Sequence, residues 1–377
     1  MPQVKPEKPD YSMGGGVLGY GLNHFASDGS TRVSSGQFPL WQPTSEELEL
    51  VKQKARELSR SHIRRIGRFA VDVRMTDGEF NETIFIHPGR GTNIDDDRNP
   101  HARYADAVVA ALNPEARIVT IANPGIGNSS SYPLSFLWRP SDHQSFRHIG
   151  RYESDFIGDI LTDGSPLTMV GTSQGANIMY ALAHAMRMQS RDKQPFVDAM
   201  VAVDPLGTRS MGRTAVMWNS WVIEGLHGRR YREATPDQLL KTMLANPAAL
   251  ARAACVPDEI TLEGQTKLTT DPYAVPGWLR DYYMMPGLLR QPNLQDQANG
   301  LRAIRPSGRA VVVSLARSAF SDPTVMRGRL QQQRSDIECD VSQLVLPHTH
   351  SLDVAGPLVA GSVRNQAIHI ETLLEAA

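Results

Sequence analysis

The sequence predicts an α/β fold, with a mostly parallel, doubly wound sheet, helices on both faces, and a mainly helical cap inserted late in the chain. Two observations predict it. From residue 82 to 208, and again from 308, short β-rich runs alternate with helical runs, an order typical of βαβ units in a parallel sheet. The interval 209–307 breaks this alternation and is rich in Met, Trp and Tyr.

The N-terminal part divides into an arm, a helix and two strands. Residues 1–45 mix Gly, Pro and Ser without a steady period, so we expect an irregular arm. Thr44 is a candidate N-cap for a helix of about four turns, in the run TSEELELVKQKARELSRSH. After it, the runs RFAVDVRM (68–75) and ETIFIHPG (82–89) indicate a half-buried strand and a fully buried one.

The alternating part of the core follows. Its helical and β-rich runs are, in order, ARYADAVVAALN, ARIVTIANPG, RHIGRYESDFIGDIL, PLTMVGTS, QGANIMYALAHAMRM and FVDAMVAVDP. Ligands of such sheets bind beyond the carboxyl ends of the strands. The predicted strands end there in the runs HPGRG, NPGIGNS, GTSQG and DPLGT. We therefore expect the site at this rim of a core that spans 46–208 and 308–377.

The interval 209–307 is predicted to be the cap. Because it follows the carboxyl end of a strand, it is expected to cover the rim; a peripheral helical subdomain is the alternative. The core resumes with the strand run GRAVVVSLARSAFSDP, the crossover DPTVMRGRLQQQ, the last strand run DIECDVSQLVLP, and a terminal helix from about 356.

Composition argues against several classes of protein. Lys and Arg number 39 against 40 Asp and Glu, so the charge balance predicts no nucleic-acid partner. Cys255 and Cys339 form neither a disulfide framework nor a metal motif. No window reaches the ~20 apolar residues of a membrane span. We expect a soluble, cytoplasmic protein that needs no cofactor and no metal; a homo-oligomer, with the arm packed on a neighbouring subunit, is left open.

Ser173 is the candidate nucleophile. It is the middle residue of GTSQG, between Gly171 and Gly175, where an apolar β-rich run gives way to a helical run. A sharp strand-to-helix turn of the form G-x-S-x-G exposes a serine above a sheet, at a helix N-terminus that favours negative charge. The alternative is that Ser173 is only a small residue in a tight turn.

A serine nucleophile needs a general base, and the chain offers several histidines. Those after Ser173 are His184, His227, His348, His350 and His369. In the order nucleophile, acid, histidine, the base follows a late strand, and LVLPHTHSLDVAG is the run that ends one. His350 is favoured because it is nearer the predicted terminal helix, while His348 is assigned a supporting or structural role.

Two aspartates compete to orient that base. Asp322 follows the strand run VVVSL and precedes His350 by the length of one crossover helix and one strand, so the two loops are expected on adjacent strands. Asp204 ends the strand after the serine's helix and is the rival. Asp322 also has a structural interpretation, as an Asx-turn cap ahead of Pro323.

An oxyanion hole needs two N–H donors. One is expected from Gln174, directly after the serine, and the other from the loop IFIHPGRGTN, where Gly89 or Arg90 offers the second N–H. Pro88 has no N–H. His87 is interpreted as a structural hydrogen-bonding residue.

The runs HPGRG, IANPGIGNSS, GTSQG, SAFSD and LPHTHSLD, in this order, resemble the landmarks of the α/β-hydrolase fold superfamily. The resemblance covers about 80–208 and 308–377. It implies Ser173 as nucleophile, Asp322 as acid, His350 as base, and Gly89 with Gln174 at the oxyanion hole. The first loop departs from the superfamily's usual His-Gly by reading His-Pro-Gly. The SQGA run also resembles cutinase-like esterases, which usually lack a cap and carry disulfides.

These residues predict a serine hydrolase that acts on an ester or related acyl bond through a covalent acyl-enzyme. Amide hydrolysis, acyl transfer or lyase chemistry on the same fold are the alternatives, as is a non-catalytic binding protein on a degenerate hydrolase fold. The Met-, Trp- and Tyr-rich insertion favours a small, partly hydrophobic acyl substrate. Arg90 and Arg209, beside the rim loops, instead favour a substrate carboxylate.

Overall fold

The computed structural model describes residues 17–39, 44–58, 61–89, 101–123, 129–130, 146–190, 192–208, 211, 213–219, 294–316 and 318–346. The strands are β1 (Val17–Phe25), β2 (Thr31–Pro39), β3 (Ser61–Ile66), β4 (Phe69–Met75), β5 (Glu82–His87), β6 (Ala116–Ile121), β7 (Leu167–Thr172), β8 (Val197–Val203), β9 (Ile304–Leu315) and β10 (Asp340–Leu346). The helices are α1 (Ser45–Glu57), α2 (His101–Leu112), α3 (Arg147–Leu161), α4 (Gln174–Gln189), α5 (Arg213–Trp218), α6 (Leu294–Leu301) and α7 (Pro323–Gln333), and a 3-10 turn at Arg334–Asp336.

The strands form one ten-stranded sheet in the order β2-β1-β10-β9-β8-β7-β5-β6-β4-β3. The strands from β10 to β6 in this order are parallel, while β1, β2, β3 and β4 pair antiparallel at the two sides. The predicted mostly parallel sheet is confirmed. After β5, the chain places β6 on one side of it and β7 on the other side, and the following strands β8, β9 and β10 are added beyond β7. Such a reversal opens a crevice at the carboxyl ends of β5 and β7, where ligands of open α/β sheets bind.

The N-terminal segment corrects one prediction. An irregular arm is expected over 1–45, but β1 and β2 form a hairpin within it, and β1 extends the sheet by pairing with β10. Tyr20, Leu22 and Phe25 of β1 are buried, and Gly29 takes the left-handed φ of 87° that its turn requires. The prediction is therefore wrong for 17–39. The many glycines and serines give this segment no strand periodicity in the sequence, and its strands are stabilised by pairing with β10, which is distant along the chain.

The first helix is shorter than its helical run. It ends at Glu57, and Ser61–Ile66 forms the edge strand β3, which turns back through Gly67 onto β4. The arginines of this segment suit a charged edge strand. Arg64 donates to both carboxylate oxygens of Asp159 on α3, at 2.8 and 2.7 Å.

The late boundary of the predicted cap also shifts. The insertion is expected to end at 307, yet β9 begins at Ile304 and α6 packs against α4. Contact between these helices is close because Gly300 has no side chain: a Cβ there would lie 2.6 Å from Tyr180 Cα. The core therefore resumes at α6, earlier than predicted. Residues 220–293 and 347–377 lie outside the described residues, so the cap and the terminal helix from about 356 stay predictions.

The central strands are buried along most of their length, as their apolar runs predict. On α4, Ile178, Leu182 and Met186 all lie in the core, which confirms their helical spacing. This burial anchors the turn that precedes α4. Within the described ranges, no helix is both long and apolar enough to span a bilayer.

Candidate active site

Ser173 occupies a strained turn between β7 and α4. Its backbone has φ 55° and ψ −124°, and its side chain does not cap α4. Two hydrogen bonds fix the turn: Ser173 N–H donates to Val203 O at 2.8 Å, and Ala176 N–H donates to Ser173 O at 3.1 Å. A non-glycine residue in this sparsely populated region costs about 1–3 kcal/mol, and such strain concentrates at functional sites. The predicted strand–turn–helix around GTSQG is therefore present, with the serine at its tip.

The two glycines of GTSQG are required by close contacts. A Cβ on Gly171 would lie 2.6 Å from Ala176 Cα. A Cβ on Gly175 would overlap the carbonyl oxygens of His87 and Pro88 and approach His87 Nδ1 at 2.8 Å. Real Cβ atoms do not approach backbone atoms this closely, so the turn requires glycine on both sides of the serine. Gly175 also brings α4 directly against the loop that follows β5.

That loop is held by buried polar side chains. His87 Nδ1 lies 3.1 Å from Pro88 O, and His87 Nε2 lies 3.1 and 3.2 Å from the carboxylate oxygens of Glu153. Asn123, which follows β6, donates to Gly89 O at 3.0 Å and to Pro88 O at 3.4 Å. The structure thus brings the loop of the predicted donor Gly89 next to the first turn of α4, where Gln174 lies. The alternative donor Arg90 lies outside the described residues, and the donors stay predictions.

Asp204 lies at the carboxyl end of β8, the strand beside β7. Its side chain is fully buried and its φ is 46°. Its N–H donates to Val313 O at 2.7 Å, while its Oδ1 accepts from Leu315 N–H at 3.3 Å and from the Ser321 hydroxyl. The residue before it, Val203, accepts the Ser173 N–H, so Asp204 follows directly the point where β8 meets the serine turn.

Asp322 begins α7. Its Oδ1 accepts from Thr324 N–H at 2.9 Å and from Val325 N–H at 3.3 Å, as an N-cap does. Its own N–H donates to the Thr208 hydroxyl at 2.7 Å. The structural interpretation of Asp322, as a cap ahead of Pro323, therefore agrees with these contacts. The structure brings the two candidate acids into one region, since Ser321 bonds to Asp204 and Asp322 is the next residue.

Asn177 ties this region to the serine's helix. From the first turn of α4, its amide donates to Leu206 O at 3.0 Å and its Oδ1 accepts from Leu206 N–H at 2.8 Å. Asn177 and Leu206 are both buried. The Asn177 side chain therefore pairs both the N–H and the C=O of Leu206, which lie beyond the end of β8. These two bonds fix the loop after Asp204.

The predicted base lies outside the described residues, as does the alternative His348, because the description ends at Leu346. His350 follows the carboxyl end of β10 in the sequence. β7, β8, β9 and β10 are parallel, so the carboxyl ends of these four strands meet at one edge of the sheet. Arg209 and residues 220–293 of the predicted cap also lie outside the described residues.

A model of the alpha/beta hydrolase family matches residues 84–355, which is more than half of the chain. The chain belongs to the alpha/beta hydrolase family. The resemblance found in the sequence motifs is thereby confirmed, together with the fold that it implies.

Solved structures similar to this alpha/beta hydrolase include the thioesterase domain from the curacin biosynthetic pathway, at 15% identity over 84% of this chain and 99% of that chain, with a TM-score of 0.44. Haloalkane dehalogenase DbeA from Bradyrhizobium elkani USDA94 shows 17% identity over 84% and 99%, with a TM-score of 0.45. A soluble variant of monoglyceride lipase from Saccharomyces cerevisiae shows 12% identity over 85% and 96%, with a TM-score of 0.45. No curated protein matches the chain.

A buried arginine, Arg329, lies beside Thr208, in the segment between the two candidate acids. Arg329 of α7 donates to Thr208 O at 3.3 Å, and burial lowers the pKa of its guanidinium to about 10. It therefore stays charged at neutral pH, beside Thr208, whose hydroxyl accepts the Asp322 N–H. Among the residues that the structure describes, no group of three or more His, Cys, Asp or Glu side chains is arranged to hold a metal ion.

Sequence reasoning missed three polar residues of the hydrolase: Asn123, Glu153 and Asn177. All three are buried. Asn123 and Asn177 bond to loops at the site, and Glu153 bonds to His87 at the end of β5. Glu153 lies in a helical run with many polar neighbours, so the sequence does not distinguish it from a solvent-facing residue. Asn177 offers a weak signal, because an amide within an otherwise apolar helix face needs a partner.

Proposed function

We propose that this alpha/beta hydrolase is a serine hydrolase that acts on an ester or related acyl bond. One observation carries the proposal: Ser173 is held in a strained turn at the switch point of the sheet, with glycines on both sides where any side chain would collide with backbone. A serine that served only to close a turn would not need this conformation. Its hydroxyl is also not used to cap α4.

In the proposed reaction, Ser173 Oγ attacks the substrate carbonyl while His350 takes its proton. The proton then passes to the leaving alcohol, and the acyl group stays on Ser173. Water attacks this acyl-enzyme with His350 again as base, which releases the acid and restores the serine. The N–H of Gln174, together with that of Gly89 or Arg90, stabilises the oxyanion in both steps.

The acid that orients His350 is Asp204 or Asp322, and the described contacts favour Asp204. A group that orients an imidazole needs to be rigid and shielded from water. Asp204 is fully buried, and its carboxylate accepts hydrogen bonds from Leu315 N–H and the Ser321 hydroxyl. Asp322 is only half-buried, and its Oδ1 accepts the hydrogen bonds that cap α7. Asp322, which the sequence motifs favour, remains the alternative.

The test is covalent labelling with a fluorophosphonate, read as the labelled peptide by mass spectrometry. We expect the label on Ser173 and its complete loss in Ser173→Ala, while Ser335→Ala, at an exposed serine, labels normally. Ester turnover should fall in parallel. Folded wild-type protein that takes no label would contradict the proposal.

The same assay identifies the acid and the base. We expect Asp204→Asn to slow labelling by orders of magnitude, as removal of a triad carboxylate does. Asp322→Ser should label almost normally, because serine still caps a helix but carries no carboxylate. The opposite pattern would return the acid to Asp322. His350→Ala should abolish labelling and His348→Ala should not.

The proposed substrate is a small acyl ester that is partly hydrophobic, on the basis of the Met-, Trp- and Tyr-rich composition of 209–307. A series of p-nitrophenyl esters of increasing chain length tests this. kcat/KM should rise with acyl length and then level off, and a preference for acids with a free carboxylate would instead favour the role of Arg90 and Arg209.

A further inference from the structure

His87 and Glu153 form a buried pair that the proposed triad does not use. His87 ends β5 and Glu153 lies on α3, and both side chains are fully shielded from solvent. Nε2 of His87 lies 3.1 and 3.2 Å from the two carboxylate oxygens. The ring is further fixed by an edge contact with Phe85, with centroids 6.1 Å apart. A buried ionisable group needs a partner of this kind, so the pair holds the imidazole in one orientation.

The contacts of the ring define its orientation. Nδ1 faces the Pro88 carbonyl at 3.1 Å, and a carbonyl only accepts, so Nδ1 is the donor of this contact. Nε2, on the opposite edge of the ring, faces the Glu153 carboxylate. Removing the carboxylate would leave the opposite edge of the ring without its partner and free the imidazole to turn away from Pro88.

The Pro88 carbonyl is the target of this arrangement. It accepts from His87 and from Asn123, and Asn123 also donates to Gly89 O. In a planar trans peptide the N–H points away from the C=O of the same group. Fixing the Pro88 carbonyl therefore fixes the direction of the Gly89 N–H.

The same carbonyl lies against the serine turn. A Cβ on Gly175 would overlap Pro88 O, so the peptide between Pro88 and Gly89 packs on the second residue of α4. Hydrogen bonds in a buried network keep their geometry better than exposed ones. An oxyanion donor needs this, because donors act only when they are already aimed at the developing charge.

From these contacts we infer that His87, Glu153 and Asn123 are positioning residues that aim the Gly89 N–H at the oxyanion of the proposed serine reaction. The inference rests on the proposed function. It assigns no proton transfer to His87: the imidazole and the amide act through the Pro88–Gly89 peptide, which touches the substrate.

Steady-state kinetics on an ester substrate test the inference. Glu153→Leu removes the partner of His87, and we expect kcat to fall about 10- to 100-fold, a fraction of the loss for deleting an oxyanion donor. KM should change less than about twofold, because the donor acts in the transition state. Glu153→Gln should recover most of kcat, since its amide donates to Nε2. Asp159→Asn, exposed on the same helix, is the matched control and should not change kcat.

A second variant guards against misfolding. Asn123→Ala removes the other donor to the Pro88 carbonyl, which comes from the segment after β6, and the same fall in kcat at constant KM is expected. The inference is overturned if Glu153→Leu folds with unchanged kcat, if Glu153→Gln is as impaired as Glu153→Leu, or if both losses appear in KM alone. Labelling separates the two proposals: if Ser173 takes no fluorophosphonate in the wild type, the proposed function itself fails.

Discussion

Ser173 and Asp204 have left-handed φ values although neither is a glycine, and within the described ranges they share this property only with Lys193. Each such residue costs about 1–3 kcal/mol and persists only where its surroundings determine the backbone. The surroundings here are shared: Ser173 bonds to the carbonyl of Val203, and Asp204 follows directly. A change in one turn is therefore transmitted to the other through a single peptide group.

At the same scale, adding one methyl group is expected to change the stability in opposite directions at Gly175 and at Gly158. Gly175→Ala places a Cβ on two backbone carbonyls, so we expect destabilisation by about 1–3 kcal/mol and a fall in labelling of about 100-fold, because the serine turn is displaced. Gly158→Ala, on α3 with nothing within 4 Å of the added Cβ, should stabilise by about 0.5–1 kcal/mol. Urea unfolding and labelling rates measure both. Equal effects of the two changes would contradict the steric argument.

At the scale of elements, α4 and the loop after β8 act as one unit through Asn177. Its amide completes both hydrogen bonds of the Leu206 backbone. Since the serine and the favoured acid belong to these two segments, Asn177 links their relative positions. Packing alone would allow the loop to shift along α4, whereas two hydrogen bonds to one residue do not.

We expect Asn177→Ala to lower the free energy of unfolding by about 1–3 kcal/mol, because it leaves a buried N–H and C=O unpaired. Gln53→Ala, at an exposed position of α1, should change stability by less than about 0.5 kcal/mol. Urea titrations of both variants give the comparison. An Asn177→Ala protein as stable as the Gln53 control would show that the loop is held by other contacts.

Elements with a local pattern could be predicted from the sequence, and those that depend on distant partners could not. The apolar run before Ser173 and the helical spacing of Ile178 and Leu182 define β7 and α4 without help from elsewhere. β1 is stable only because β10 pairs with it, a contact that periodicity does not show. In the site, the serine turn has a motif, but the contacts of Asp204 and Glu153 come from packing between elements.

At the scale of the molecule, a buried polar chain joins β1 to the late strands. Asn23 donates to Gln343 Oε1 at 3.1 Å, and the Gln343 amide donates to Ser314 Oγ at 3.0 Å and to Pro323 O at 2.8 Å. These bonds fix the register of β1, β10 and β9, since a slip by one residue would bury unpaired amides. The last of them reaches the first residue of α7.

The hairpin also makes stability depend on pH. Burial lowers the pKa of His24 on β1, whose Nδ1 lies 2.8 Å from the Ser342 hydroxyl oxygen. Burial also lowers the pKa of His184, which lies on α4 and outside the hairpin. The unfolded chain then binds protons more readily than the folded one, so stability is lost as pH falls through the unfolded value of about 6.5. We expect His24→Asn to lose less stability than wild type between about pH 7.5 and about pH 5. His62→Asn, exposed on β3, should follow the wild type in urea titrations, and identical slopes for all three proteins would contradict the assignment.

The pairing of β1 with β10 also has a consequence for biosynthesis. The ribosome makes β1 early, but its partner residues, such as Val345 opposite Gly21, emerge only after almost all of the core has been translated. During that time the hairpin has no sheet to join, and an unpaired strand edge is open to other chains. The hairpin is therefore expected to dock as one of the last steps of folding, and nascent chains truncated before β10 should aggregate or bind chaperones more than the completed protein.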